Sequence, residues 1–339
     1  MNKEYRKSPR REQGWIVVTG AAGFIGSGVV RYLNDLGYTQ LLLVDTLEKT
    51  DKWKNLVGKS FMDLVTKEAL FPILEEEHRN IRGIVHLGAC SSTTETDGDY
   101  LLENNYRYSV DLAKAAIRWN IRFVYASSAA TYGGREKNFD DDETALLELA
   151  PLNLYGFSKQ LFDLWLEREN LLDRVVGLKY FNVFGPNEYH KGAMASMVLK
   201  MTKKAAQGQP ILLFKSNDPQ YQNGEQKRDF IYVKDAVRCT VDFLLEPSLQ
   251  DVGGIFNIGS GKATSWNQLA HALFYALDKP AKIEYIDMPK ELEGQYQNFT
   301  QANMGKHQKL PHREPLQMTS IEESVREYVQ QYILPGTYW

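Results

Sequence analysis

The stretch that decides the fold is Trp15-Ile16-Val17-Val18-Thr19-Gly20-Ala21-Ala22-Gly23-Phe24-Ile25-Gly26. Its first five residues are mostly β-branched or aromatic, as in a buried parallel strand, and they stop at a glycine cluster. The glycines have the spacing G-x-x-G-x-x-G, and Val29, Val30 and Leu33 then recur as on one helix face. Glycines between a strand and a helix permit close approach of a pyrophosphate, which the free amides of the helix start attract. The stretch therefore predicts a dinucleotide-binding strand, turn and helix.

Strand-like and helical stretches continue to alternate along the first half of the chain. Strand-like runs occupy residues 41–44, 84–87, 123–126 and 175–180, with a helical pattern at 104–119 and another from Tyr155 onward. This alternation predicts an α/β fold with a doubly wound parallel sheet of Rossmann type. Beyond Pro186 the alternation loosens. The later predicted elements are a helix at 194–206, a strand at 211–213, a polar loop at 216–226, sheet-like residues at 228–235, a strand at 254–258, and helices at 266–277 and 320–332.

This organisation suggests two domains. We expect residues 15–182 to form a NAD(P)-binding Rossmann domain, to which segments near 229–258 return. Residues 183–228 and 259–339 are expected to form a smaller, mostly C-terminal α/β substrate-binding domain. Residues 1–14 are polar and mostly basic, which predicts a disordered extension. The acidic stretch 135–150, with Asp140-Asp141-Asp142-Glu143, is predicted to be an exposed loop near the mouth of the site.

Composition excludes several classes of function. The 339 residues are 43% hydrophobic and 24% charged, with a formal net charge of -3, which gives no electrostatic case for binding nucleic acid or an anionic membrane. The two cysteines, Cys90 and Cys239, are far apart, and the six histidines are scattered, so neither a disulfide framework nor a metal site is predicted. No run approaches eighteen apolar residues. A reducing, cytoplasmic setting is expected.

An acidic residue follows the second predicted strand. Asp45 stands where a carboxylate commonly bonds the adenosine ribose hydroxyls, which favours NAD. Lys49, Lys52 and Lys54 follow it closely and could instead reach a 2′-phosphate, which would favour NADP. A solvated charge run explains any one of these lysines equally well, so the sequence leaves the choice of cofactor open.

Small and hydroxyl residues follow the strand at 84–87. Leu87 leads into Gly88-Ala89-Cys90-Ser91-Ser92-Thr93-Thr94. Such residues at the carboxyl end of a parallel strand allow close approach of a cofactor or substrate. A capped loop before the next helix is an equal alternative, because Ser and Thr favour such loops as well.

Three further residues suggest proton transfer. Ser128 ends a predicted strand, and Tyr155 and Lys159 stand four residues apart, one turn of a helix, so they share a face. An ammonium beside a tyrosine is expected to favour the phenolate, and a serine can hold the reacting oxygen. Ser, Tyr and Lys in this order and spacing are typical of a short-chain dehydrogenase, in which the Lys also contacts the nicotinamide ribose.

Together these motifs resemble the extended short-chain dehydrogenase/reductase superfamily of nucleotide-sugar enzymes. Two segments, Cys90-Ser91-Ser92-Thr93-Thr94-Glu95 and His190-Lys191-Gly192, are similar to the narrower ADP-L-glycero-D-manno-heptose 6-epimerase family. The likeness runs from about Trp15 to the last predicted helix.

The resemblance implies a cytoplasmic isomerase that inverts C6″ of ADP-D-glycero-D-manno-heptose for the lipopolysaccharide inner core. NADP would take and return the hydride. By this likeness Tyr155 exchanges a proton on one face of the sugar carbon, Lys191 does so on the other, and Ser128 polarises the carbonyl. A second proton-exchanging group fits the chemistry, since one tyrosine can return a proton only where it took one. Family members form homo-oligomers, often pentamers.

The resemblance also assigns binding residues. Those expected at the cofactor are Phe24, Ile25, Asp45, Thr46, Lys52, Lys67, Asn104, Lys159 and Val183, besides the glycine turn and residues 87–91. Those expected at the substrate are Asn182, Ala193, Lys200, Phe214, Arg228 and Tyr296. Three positions depart from the family pattern, with Ala193 for Ser, Lys200 for His and Thr46 for Asn.

Two other functions compete with this hypothesis. A nucleotide-sugar 4-epimerase or dehydratase of the same superfamily would share Ser128, Tyr155 and Lys159 but would not need Lys191. A non-catalytic cofactor-sensing protein is a more remote alternative, because such proteins commonly lose the Tyr or the Lys.

Overall fold

The computed structural model describes residues 14–290, 296–310 and 317–339. Its main sheet has seven parallel strands in the order β10-β6-β5-β4-β1-β2-β3. These strands are β1 Trp15–Thr19, β2 Leu41–Val44, β3 Asp63–Val65, β4 Ile81–His86, β5 Arg122–Ser128, β6 Val176–Tyr180 and β10 Gly254–Ile258. The predicted doubly wound parallel α/β fold is confirmed.

Helices cover both faces of this sheet. Those packed on it are α1 Phe24–Asp35 and α7 Val233–Leu245 on one face, and α2 Lys67–Glu77, α4 Tyr108–Arg118 and α5 Leu154–Arg168 on the other. Further helices are α3 Gly98–Leu101, α6 Met197–Ala206 and α8 Trp266–Ala276. Alternate strand residues point to opposite faces. Ile16 and Val18 accordingly pack in one apolar cluster with α1 and α7, whereas Val17 packs in another with α2, α4 and α5.

Two small sheets lie outside the main one. The strands β11 Ala263–Ser265, β9 Lys227–Tyr232 and β7 Asn182–Phe184 form a three-stranded sheet in that order, and β8 Ile211–Phe214 pairs in parallel with β12 Ile283–Ile286. Of the segment expected to return to the Rossmann domain, β10 joins the main sheet and α7 packs on α1, whereas β9 lies in the small sheet. The chain ends with a helix at Ile321–Glu327 and a π-helical turn at Tyr328–Ile333.

The structure corrects some predicted elements. Residues 228–235 were expected to be sheet-like throughout, but β9 ends at Tyr232 and α7 begins at Val233, because Val233, Val237 and Val241 are buried at helical spacing. The short strands β3, β7, β11 and β12 and the helix α2 were not predicted. Of the predicted extension, residues 1–13 lie outside the described residues.

The acidic stretch is only in part the exposed loop that the sequence suggested, because Asp140 and Asp142 are exposed but Asp141 and Glu143 bind the main sheet. The Asp141 side chain is buried, and its Oδ2 accepts a hydrogen bond from the backbone N of Asn257 at 2.8 Å. Glu143 Oε1 accepts one from the backbone N of Ile255 at 2.7 Å. Because β10 is the edge strand of the main sheet, these carboxylates bind amides that no neighbouring strand could bind. The stretch therefore protects a sheet edge.

Within the described residues, no helix has the length and apolar character needed to cross a membrane. The same ranges contain no group of three His, Cys, Asp or Glu side chains placed to hold a metal ion.

Candidate active site

A cavity of about 960 Å³ opens at the carboxyl ends of the central strands. Its wall includes Thr19 at the end of β1, Val44 at the end of β2, Ser128 at the end of β5 and Tyr180 at the end of β6. In parallel α/β sheets ligands bind at this edge. The fold therefore brings the predicted motifs to one place.

Most predicted site residues line this cavity. They are Gly20, Gly23, Phe24, Ile25, Gly26, Asp45, Thr46, Lys52, Lys67, Leu87, Gly88, Ala89, Cys90, Ser91, Asn104, Ser128, Tyr155, Lys159, Asn182, Val183 and Lys191.

The glycine turn has the form that a dinucleotide needs. A Cβ atom on Gly20 would lie 2.7 Å from the backbone N of Gly88, and one on Gly26 would lie 2.1 Å from the backbone O of Gly20. Gly20 also has a φ of +66°, which favours glycine. Gly23 caps α1 without a side-chain hydrogen bond, so the first-turn amides remain available to an anion. The turn therefore fits the pyrophosphate of a nicotinamide dinucleotide.

Asp45 and Lys52 form an ion pair beside this turn. Asp45 Oδ2 accepts a hydrogen bond from the Ala22 backbone N at 2.8 Å, and Lys52 Nζ lies 2.8 Å from Asp45 Oδ1. Of the three lysines considered for a 2′-phosphate, Lys52 lines the cavity, whereas Lys54 pairs with Asp51 on the surface. Lys49 is exposed and is not among the lining residues.

Asn104 and Asn105 lie in a π-helical turn, Leu102–Arg107, between α3 and α4. Asn104 Oδ1 accepts a hydrogen bond from Lys67 Nζ at 2.8 Å. Asn105, which the sequence analysis missed, holds both backbone groups of Cys90 with its amide, at 2.8 and 2.9 Å, and donates to Ser158 Oγ at 3.0 Å. It thereby fixes the loop after β4 to α5. No sequence signal marked it, because the π-helix was not predicted.

Ser128, Tyr155 and Lys159 meet on one wall of the cavity. The Tyr155 hydroxyl hydrogen-bonds with Ser128, and Lys159 Nζ donates to the backbone O of Ala126 at 2.9 Å. Burial raises the pKa of Tyr155, and the bond to Ser128 opposes this. The expectation that the Lys159 ammonium favours the phenolate of Tyr155 stays a prediction. Burial also lowers the pKa of Lys159 to about 8, and the Asp163 carboxylate opposes this fall.

Lys191 reaches the same cavity from a separate segment, the turn Tyr189–Met194. Its Nζ lies 5.1 Å from the centroid of the Phe24 ring. Burial lowers the pKa of Lys191, and the nearby Glu188 carboxylate opposes this. Glu188 is fully buried and accepts hydrogen bonds from Ser196 Oγ at 2.6 Å and from Tyr328 OH at 3.0 Å, which anchor the turn.

His190 is a lining residue whose contribution the sequence analysis did not single out. Its Nδ1 lies 3.3 Å from Asn55 Nδ2. Burial, with the ammonium groups of Lys191 and Lys52, lowers the pKa of His190 to about 4, so the ring is neutral at pH 7. Its place in the His-Lys-Gly segment is the signal that could have found it.

Five predicted substrate residues are not among the lining residues, namely Ala193, Lys200, Phe214, Arg228 and Tyr296. Lys200 Nζ donates to the backbone O of Ala193 at 2.6 Å, so these two departures from the family pattern contact each other.

The other three of these residues form a cluster next to the cavity. The Arg228 guanidinium lies 5.0 Å from the centroid of the Tyr296 ring, which contacts Phe214 edge-on at 6.0 Å. Phe230, on the same face of β9 as Arg228, does line the cavity and packs on Trp266, another lining residue that was not predicted.

Residues 16–259 match the sequence profile of the NAD dependent epimerase/dehydratase family. An ADP-L-glycero-D-manno-heptose-6-epimerase from Nitratidesulfovibrio vulgaris is 47% identical over 94% of this chain and 97% of its own length. One from Fusobacterium nucleatum is 43% identical over 94% of this chain and 98% of its own length.

Solved structures agree. An ADP-L-glycero-D-manno-heptose-6-epimerase from Helicobacter pylori has a TM-score of 0.75 and 25% identity, covering 96% of this chain and 98% of that one. A UDP-N-acetylglucosamine 4-epimerase from Methanobrevibacter ruminantium has a TM-score of 0.78 and 26% identity, covering 95% and 99%. The chain therefore belongs to the NAD-dependent epimerase/dehydratase family, and within it to the ADP-L-glycero-D-manno-heptose-6-epimerases.

Proposed function

We propose that the protein inverts C6″ of ADP-D-glycero-D-manno-heptose by transient oxidation, with NADP as its cofactor. The observation that carries this proposal is that two groups able to exchange protons, Tyr155 and Lys191, line one cavity from different parts of the chain. The names of the relatives at 43–47% identity support the choice of sugar. The product would be a precursor of the lipopolysaccharide inner core.

Each side chain then has a role. A nicotinamide dinucleotide, held at the glycine turn and beside Asp45, would supply reversible hydride transfer at C6″. Tyr155 takes the proton of the C6″ hydroxyl, and Ser128 donates a hydrogen bond to the resulting carbonyl oxygen. When the C6″ ketone has turned within the cavity, Lys191 gives a proton to its oxygen as the hydride returns to the opposite face. Burial lowers the pKa of Lys191, which makes it a better proton donor than a solvated lysine.

The preference for NADP rests on Lys52. Asp45 would bond the ribose hydroxyls, and Lys52, already 2.8 Å from Asp45 Oδ1, would reach a 2′-phosphate. The phosphate would then share the lysine with Asp45. NAD remains the alternative, since the family description and several solved relatives name NAD.

The substrate side is proposed to be formed by residues 183–228 and 259–339. Arg228, a buried residue whose guanidinium donates to the backbone O of Lys227 and lies over the Tyr296 ring, would take the diphosphate, and Tyr296 and Phe214 would flank the adenosine or sugar. We also propose that the protein is cytoplasmic and forms a homo-oligomer, with the pentamer as the proposed state. Light scattering on the purified protein would test the number of subunits.

The test is epimerisation by matched lysine variants. Incubation with ADP-D-glycero-D-manno-heptose and chromatography of the C6″ epimers should show conversion by the wild type. Lys191→Met should abolish conversion while leaving folding and cofactor content unchanged. Lys203→Met, an exposed lysine on α6, is the control and should convert normally. Full activity of Lys191→Met would refute the two-group assignment.

A second candidate is a nucleotide-sugar 4-epimerase or dehydratase, favoured by the TM-score of 0.78 with a 4-epimerase. Turnover of a UDP-sugar but not of the ADP-heptose, undiminished in Lys191→Met, would support it. A non-catalytic sensor would be supported by a Tyr155→Phe variant that matches the wild type in every turnover assay.

A further inference from the structure

A buried ion pair lies directly behind the cavity wall that carries Ser128, Tyr155 and Lys159. Lys179 Nζ on β6 is 2.9 Å from Asp163 Oδ2 on α5, and the side chains are 1% and 0% exposed. Asp163 is one helical turn beyond Lys159 on α5. Because burying two charges costs desolvation free energy, a buried ion pair is weak evidence for a stabilising role.

The pair is the centre of a hydrogen-bond network that joins three elements. Asp163 Oδ1 accepts from Tyr125 OH at 2.9 Å, and Oδ2 also accepts from Ser127 Oγ at 2.7 Å. Lys179 Nζ also donates to Thr131 Oγ1 at 2.7 Å. The Thr131 hydroxyl in turn donates to the backbone O of Ser128 at 2.8 Å. Ser127 and Thr131, which precede and follow Ser128 in the chain, are thereby bound to α5 and β6.

We propose that Asp163 and Lys179 are positioning residues, which hold the end of β5 against α5 so that Ser128 meets Tyr155, and that the Asp163 carboxylate also acts on Lys159 one helical turn away. The proposal rests on the proposed proton-exchange role of those three residues. Neither Asp163 nor Lys179 is among the lining residues of the cavity, so both would act through their neighbours.

The charged groups around Lys159 determine the direction in which its pKa should change when Asp163 is replaced. The titratable groups that influence Lys159, or that it influences, are Asp163 on α5, Cys90 after β4, and the buried His86 on β4. Tyr155 shares its helix face. Burial lowers the pKa of Lys159 to about 8, and the Asp163 carboxylate opposes that fall. Removing the carboxylate should therefore lower the pKa further and leave less ammonium at neutral pH.

Competitive acetylation with acetic anhydride measures this directly and needs no sugar substrate. The pH dependence of acetylation at Lys159, followed by mass spectrometry of its peptide, should have a midpoint near 8 in the wild type. In Asp163→Asn the midpoint should fall. Lys191 is the internal control, because Glu188 and Lys200 are its charged neighbours and its midpoint should not move. An unchanged Lys159 midpoint in Asp163→Asn would overturn the electrostatic role.

Two further variants separate position from folding. Asp163→Asn/Lys179→Met removes both charges, so it should fold where a single variant leaves an unpaired charge, and it should show the same lowered midpoint. Thr131→Val cuts the bond to Ser128 and should lower kcat at unchanged KM and unchanged Lys159 midpoint. If neither Asp163 variant folded, or if Thr131→Val matched the wild type in kcat, the positioning role would be overturned.

Turnover gives an independent readout. A fall of the Lys159 pKa from about 8 by one unit should reduce the ammonium fraction at pH 8 about fivefold, and kcat with it. Absence of wild-type conversion of the ADP-heptose would refute the proposed function alone, since the acetylation midpoints would still decide the role of the buried pair.

Discussion

Replacing Lys52 by Met should change which nicotinamide dinucleotide the protein prefers. Lys52 lines the cavity and pairs with Asp45 at 2.8 Å, with side chains 18% and 8% exposed. A hydrogen bond to a charged group contributes about 1.5–3 kcal/mol, so the variant should bind NADP⁺ roughly 10- to 150-fold more weakly. NAD⁺ has no 2′-phosphate, and its affinity should change much less.

The assay is a calorimetric titration of the cofactor-free protein with each dinucleotide. Lys54→Met is the matched control, because Lys54 pairs with Asp51 on the surface and is not a lining residue. Its two affinities should equal those of the wild type. Equal loss of NADP⁺ and NAD⁺ binding in Lys52→Met, or no loss of either, would refute the assignment of this lysine to the 2′-phosphate.

Three other outcomes are expected. Gly26→Ala puts a methyl group 2.1 Å from the backbone O of Gly20 and should lower the free energy of unfolding by about 1–3 kcal/mol. Gly98→Ala is the control, because no atom lies within 4 Å of the added methyl group, and equal melting temperatures of the two variants would contradict this. Asp141→Ala leaves an amide of the edge strand β10 without its acceptor and should lower the free energy of unfolding by about 1–3 kcal/mol in a urea titration. Replacing the exposed Glu136 by Ala should cause no loss, and equal urea midpoints of the two variants would contradict the prediction. The kcat of the wild type should fall as pH rises through about 8, because the pKa of Lys159 lies there and its ammonium form is lost above it. A kcat that stays level well above pH 8 would argue against a role for this ammonium.

Local spacing made the central part of this molecule predictable. The glycine turn and the pair Tyr155 and Lys159 are defined by residues within one or two helical turns of each other, so sequence alone indicates their geometry. Of the strands between them, β2 is buried along its whole length and is therefore continuously apolar. Short and mostly exposed strands, such as β12, lack that signal and were missed.

Contacts between distant segments could not be predicted in this way. Asp141 is in an acidic run that looks solvated, but its partner is an amide more than a hundred residues away on β10. Asn105 binds Cys90 from a π-helical turn, which the helix propensities of its residues do not predict. Sequence alone indicated the residue type of Lys191 and its likeness to a family, whereas its place in the cavity near the Phe24 ring and the Glu188 carboxylate depends on the fold.

The most direct test of the account follows the hydrogen at C6″. ADP-D-glycero-D-manno-heptose carrying deuterium at C6″ would be incubated with the purified protein in ordinary water, and the separated epimers analysed by mass spectrometry and NMR. Oxidation and hydride return within one cavity predict an L-glycero epimer that keeps its deuterium at C6″. Formation of that epimer with the deuterium replaced by solvent hydrogen, or no epimer at all, would contradict it.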